Sequence, residues 1–181
     1  MFDIDEFVND CIAARVETQP RLAIRDVLDR VLQRPGDLAD ALPDLGPAGI
    51  NPLHVADDLT VAHVVWAPGM HFRPHNHEMW ACIGVFGGQE DNSFYRRGNG
   101  GLVESGGRSL KTGDVALLGD DTIHAVTNPL GVSAGTIHVY GGNILTREGR
   151  SEWLEPSLEE IDYEFDHVRA TFEAFAAELA G

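Results

Sequence analysis

Gly69-Met70-His71-Phe72-Arg73-Pro74-His75-Asn76-His77 is the stretch whose reading decides the fold. In an extended strand residues i and i+2 share a face, so His75 and His77 project the same way. A second stretch completes the reading: Gly113-Asp114-Val115-Ala116-Leu117-Leu118-Gly119-Asp120-Asp121-Thr122-Ile123-His124-Ala125-Val126-Thr127-Asn128. It supplies His124 from a separate strand. Three imidazoles that meet at one point hold a first-row divalent metal and leave coordination positions open.

Outward from these stretches, residues 53–140 alternate with a period of two. Strands are expected over 60–66, 79–86, 92–97, 102–104, 109–111, 114–118, 123–127 and 135–140. Pro68-Gly69, Gly87-Gly88 and Gly98-Asn99-Gly100-Gly101 separate several of them. Short strands with glycine-rich turns at close intervals give an all-β sandwich or barrel. The flanks change period. Residues 2–17 and 21–33 carry apolar side chains at helical spacing, with Pro20 at the second start and Pro35-Gly36 after its end. Residues 41–49 are rich in chain breakers and read as a linker. Ser157-Leu158-Glu159-Glu160 has the capping-box pattern, and a last helix is expected from there to about residue 179. The chain reads as one domain: a helical segment at 1–46, a β-barrel at 47–149 and a C-terminal helix at 150–181.

The 181 residues carry a net charge of −16, and Lys111 is the only lysine. Phosphate binding needs clustered Lys and Arg, so nucleic acid is excluded as a partner class. No apolar run is long enough to span a membrane, and the N-terminus lacks the basic and apolar regions of a signal peptide. A cytoplasmic protein is expected. In that compartment Cys11 and Cys82, the only cysteines, are not a disulfide scaffold.

The two opening stretches resemble the paired motifs of the cupin superfamily. Gly69, His75, His77 and Gly88 fit the first motif; Gly113, His124 and Asn128 fit the second. The resemblance implies a cupin double-stranded β-helix, a jelly-roll barrel, mainly β, with N-terminal helices and a C-terminal helix. The position of the usual glutamate ligand holds Ala81 or Cys82. A metal on three neutral imidazoles keeps its full positive charge and favours an anionic donor such as a thiolate.

That ligand set is similar to the thiol dioxygenase branch, the cysteine dioxygenase-like cupins. Trp66 precedes His75 at the spacing those enzymes show, and Thr136-Ile137-His138-Val139-Tyr140 resembles their Ser-x-His-x-Tyr run. The resemblance implies Fe(II) on His75, His77 and His124, although three-histidine sites also accept Ni, Co, Mn or Zn. It implies a small-molecule thiol and O2 as substrates and a sulfinate as product. Tyr140, set by His138 and Thr136, would hydrogen-bond the reacting oxygen. Cys82 matches the cysteine that cross-links to a tyrosine there, or is a core residue. The early-strand arginine that holds the carboxylate of cysteine is absent from 47–51, so a different thiol carboxylic acid is expected. Arg73, Arg147 and Arg150 are, in that order, the arginines expected to bind it. The rival reading is a non-catalytic cupin that binds a metal or a small ligand.

Overall fold

The computed structural model describes residues 2–180. Three helices lead the chain: α1 (Ile4–Arg15), α2 (Pro20–Val31) and α3 (Pro35–Ala41). Asp3 caps α1 by accepting from the Glu6 amide at 2.9 Å. Helix α3 was not expected. Pro35, which ends α2, is also the first residue of α3, where its missing N–H is no loss and its fixed φ suits the helix. Leu38 then anchors the short helix in the core.

Eleven strands follow: β1 (Gly49–Ala56), β2 (Leu59–Trp66), β3 (His71–Asn76), β4 (Ala81–Gly87), β5 (Gln89–Gly98), β6 (Gly101–Lys111), β7 (Val115–Leu118), β8 (Ile123–Thr127), β9 (Ala134–Tyr140), β10 (Ser151–Leu154) and β11 (Glu159–Asp162). A last helix, α4, spans Phe165–Ala180. The strands form two sheets, in the orders β1-β2-β9-β4-β7 and β11-β10-β3-β8-β5-β6. Every pairing is antiparallel, and strands distant in sequence lie side by side. This is the expected jelly-roll barrel.

Two expectations about the chain's later part need correction. The pattern at Ser157 begins no helix. Ser157 closes the β10–β11 turn instead: its hydroxyl donates to the Leu154 carbonyl and accepts from the Glu159 amide. A Ser-x-x-Glu sequence serves a turn as readily as a helix cap, because in both the hydroxyl meets nearby backbone groups. The β10–β11 hairpin therefore extends the six-stranded sheet, and the helix starts only at Phe165. The segments at 102–104 and 109–111 are one strand, β6, with an irregularity opposite Phe94 and Tyr95.

Both faces of the five-stranded sheet are covered. On β9, Ile137 and Val139 pack under α1–α3 with Val61 and Cys82, whereas His138 and Tyr140 face the barrel interior. Double coverage explains why β4 reads as a near-continuous apolar run. Helix α4 covers the barrel mouth. Its Val168 and Phe172 join Trp66, Met70 and Phe72 in one cluster, and Phe172 stacks on Trp66 with centroids 5.0 Å apart. Gly69 has φ +68 and Gly113 has φ +94, which explains glycine at these two turns. No helix among the described residues is long and apolar enough to cross a membrane.

His63 sits on β2, buried, beside Phe86, and neither ring nitrogen has a hydrogen-bond partner. Burial pushes its pKa down from 6.5 to about 4. Between those values the unfolded chain binds the extra proton, so stability rises with pH through the window and is lost as pH falls from 6.5 toward 4. In metal-free protein, His63→Leu is expected to lower the slope of unfolding free energy against pH by up to one proton in that window. Denaturant titrations at several pH values check this; an unchanged slope would contradict it.

Candidate metal centre

His75 and His124 are opposite each other across the β3–β8 pair, and His77 follows just beyond the end of β3. Strand register thus brings the three rings together. Their ligand atoms all lie within 4.8 Å of one another, and all three residues are buried. His77 Nε2 is 3.2 Å from His75 Nε2 and 3.4 Å from His124 Nε2.

In both contacts His75 and His124 present acceptors, and only His77 is free to be the donor. His75 Nδ1 donates to the Arg73 carbonyl at 3.0 Å, which leaves its Nε2 with a bare lone pair. His124 Nδ1 faces Asn92 Oδ1 at 2.6 Å. The Asn92 amide is oriented by Glu90: its nitrogen donates to Glu90 Oε1 at 3.0 Å, so its oxygen is left to accept from His124. The His124 Nε2 lone pair is therefore bare as well. Burial pushes the pKa of His75 down to about 4 and holds His77 and His124 well below 6.5, and the neighbouring charges act in the same direction at His77 and His124. With His77 in the tautomer that bares Nε2, three lone pairs aim at one point and can share a cation. Ligands about 2.1 Å from a shared ion, at angles between octahedral and tetrahedral, stand about 3.0–3.4 Å apart. The residues present fit a divalent metal, and among the described residues no carboxylate joins the cluster.

Glu90 is the functional residue that sequence reasoning missed. It is completely buried on β5. Besides Asn92, it accepts from Trp66 Nε1 at 2.8 Å and from His138 Nε2 at 3.1 Å. His138 Nδ1 in turn lies 3.0 Å from the Tyr140 hydroxyl. One carboxylate thus ties Tyr140, His138 and Trp66 to Asn92 and the ligand His124. The available signal was alternation: Glu90, Asn92 and Phe94 share one face of β5. An acidic run after Gly87-Gly88 reads instead as a turn.

The other expected site residues divide. Tyr140 and His138 line the same cavity as the three histidines; the Tyr140 ring stands edge-on to His77 at 5.0 Å. Burial holds the Tyr140 phenol well above its usual pKa, so it stays protonated. Thr136 donates to the Val64 carbonyl at 3.4 Å and ties β9 to β2 without touching Tyr140. Cys82 is not in the site. It pairs with Val139, the neighbour of Tyr140 and on the opposite sheet face, and its Sγ–H points at the Arg21 carbonyl under the helices. Burial pushes this thiol up to about 12. No Cys82–Tyr140 cross-link fits this arrangement, and Cys82 is a core residue. Asn128 spans from the β8–β9 loop to the carbonyls of Trp66 and Ala67.

None of the three arginines is among the residues that line the metal cavity. Arg73 points into a surface cleft, its Nε 4.0 Å from Glu152, and only its carbonyl serves the site. Arg147 is exposed in a polar surface pocket with Asp57 and Glu148. Arg150 is 6% exposed. Its guanidinium stacks on Tyr163, 4.2 Å from the ring centroid, and Tyr163 lines the metal cavity. Nε donates to the Arg147 carbonyl at 2.8 Å, but Nη1 is buried with no partner. Among the described residues no carboxylate lies within 4.0 Å of this cation. Such a group demands an anion or a role.

No protein-family model matches the sequence. Similar solved structures include an uncharacterized conserved protein with a double-stranded β-helix domain from Klebsiella pneumoniae, 20% identical, covering 61% of this chain and 88% of that one with TM-score 0.43. An RmlC-like cupin family protein from Methanocaldococcus jannaschii is 10% identical over 57% of this chain and 87% of that one, with TM-score 0.46. KdgF from Halomonas sp. is 20% identical over 56% and 86%, with TM-score 0.43.

Asn92→Ala removes the acceptor that sets the His124 ring. Zinc affinity is expected to fall roughly 10–100-fold, and His124→Ala is expected to lose tight binding altogether. Competition titration against a chromogenic chelator measures both. Wild-type zinc affinity in Asn92→Ala would separate the Glu90 network from the metal.

Proposed function

We propose that this chain is a non-haem iron thiol dioxygenase that converts a thiol carboxylic acid to its sulfinate, RSH + O2 → RSO2H. The observation that carries the reading is a buried set of three neutral imidazoles, without a carboxylate ligand, beside a buried guanidinium that lacks an anionic partner. His75, His77 and His124 would hold iron(II), which would supply a cationic, redox-active centre for an anionic sulfur donor and O2.

The rest of the chemistry belongs to the chain's own residues. Arg150 would pair the substrate carboxylate through its buried, unpartnered Nη1, behind the cavity wall that Tyr163 forms; Nε and the Tyr163 ring hold the guanidinium in place. The thiol proton leaves through Tyr140. With the His138 Nε2–H held by Glu90, Nδ1 is placed to accept the Tyr140 O–H, and the phenolic oxygen presents a lone pair to the cavity. The thiol proton moves to Tyr140 Oη as the phenolic proton moves to His138 Nδ1. The imidazolium so formed is paired with the Glu90 carboxylate and returns the proton when product leaves. The apolar walls, including Ala62, Val64, Phe72 and Val126, exclude bulk water.

An oxygen-electrode screen of iron-loaded protein against cysteine, 3-mercaptopropionate, cysteamine and mercaptosuccinate tests the reading. One O2 per thiol is expected with the thiol acids, and poor activity with L-cysteine. Arg150→Met is expected to raise KM for the active acid roughly 10–100-fold, the value of a charge-assisted pair, with iron content retained and the response to cysteamine, which has no carboxylate, unchanged. No uptake with any thiol would leave a metal-binding barrel without this activity.

A further inference from the structure

The cavity at the three histidines encloses about 50 Å³. That is space for a metal and a small head group, not for a whole substrate. A second cavity of about 400 Å³ lies against it, between β1 and α4. Five side chains line both: Ile50, Pro52, Leu145, Phe165 and Phe172. Only their thickness separates the two spaces, and Pro52 is exposed at the outer end. The remaining wall of the outer cavity is almost entirely apolar, with Ala48 and Ala176. Its two charged residues, Arg169 and Glu173, are exposed and face each other at 3.7 Å. They offer an incoming anion or cation no uncompensated partner.

We propose that the cleft between β1 and α4 is a second subsite, which takes an uncharged alkyl or aryl substituent of a ligand whose head group binds at the three histidines. The inference rests on the metal-site reading above and not on the oxidation of sulfur. Three features carry it. The inner cavity is too small for a complete ligand, the adjoining space is divided from it only by side chains that line both, and the charged pair on that space is already matched to itself. The ligand class is then a small metal-binding head group that bears an apolar substituent; under the thiol dioxygenase reading that is a substituted thiol acid with its sulfur at the histidines. Helix α4 determines specificity, because it contributes Phe165, Phe172 and Ala176 to the subsite.

Alkyl hydroxamates test this without any thiol or O2. Calorimetric titration of zinc-loaded protein with the series from aceto- to octanohydroxamate reads the dependence of Kd on chain length. Burial of each added methylene is expected to tighten binding roughly fourfold over the first several carbons. In Ile50→Glu and in Ala176→Glu, each placing a carboxylate in the cleft, the slope is expected to flatten. The slope is read within each variant, so a change in head-group affinity does not disguise it. A flat series in wild-type protein, or a wild-type slope in both folded variants, would overturn the subsite. Failure to bind even acetohydroxamate would overturn the metal reading and the subsite together. A steep slope in a protein inert toward thiols and O2 would keep the subsite and remove only the dioxygenase.

Discussion

The constraint on which the rest of this structure depends is the convergence of three imidazole rings in a buried space. Burial disfavours the protonated form of each ring. The arrangement holds because each element around it is fixed. The β3–β8 register sets His75 opposite His124, a backbone carbonyl orients one ring and Asn92 the other. Helices α1–α3 cover the outer face of one sheet, and α4 covers the mouth. A divalent cation between the rings would take all three as ligands.

Glu90 and Arg150, two of the buried charges near the centre, are treated oppositely. Glu90 is fully satisfied: indole, amide and imidazole N–H groups all point at its carboxylate. A carboxylate so enclosed is rigid, and its rigidity reaches the metal ligand through Asn92 and the phenol through His138. Arg150 is left with an open donor beside an aromatic ring. A fold selected for stability alone would replace such a cation with an apolar side chain of similar volume. The difference between the two separates a group that builds the site from one that waits for a ligand.

The sequence was legible where the signal was local or periodic. Alternation marked the strands, and His75, His77 and His124 stood at motif positions. Three features depended on long-range pairing and were not legible. Glu90 is buried because β5 pairs with β8, a contact 32 residues apart at Asn92 and His124. Cys82 lies in an apolar run covered on both faces, where a period of two cannot say which face looks inward; the register with Val139 decides it. Arg150 follows a loop and precedes a hairpin that had been read as helix, so nothing local set it apart from Arg147. The same hairpin shows why a short polar pattern such as Ser157–Glu160 is ambiguous without its partner strand.

The most direct measurement is an anaerobic titration of 3-mercaptopropionate into cobalt(II)-loaded protein, followed by optical absorption. Three neutral imidazoles leave the ion cationic and open, so a sulfur-to-cobalt charge-transfer band that saturates at one thiol per metal is expected. A cobalt spectrum that the thiol leaves unchanged, in protein holding one cobalt at His75, His77 and His124, would contradict thiolate capture at this centre.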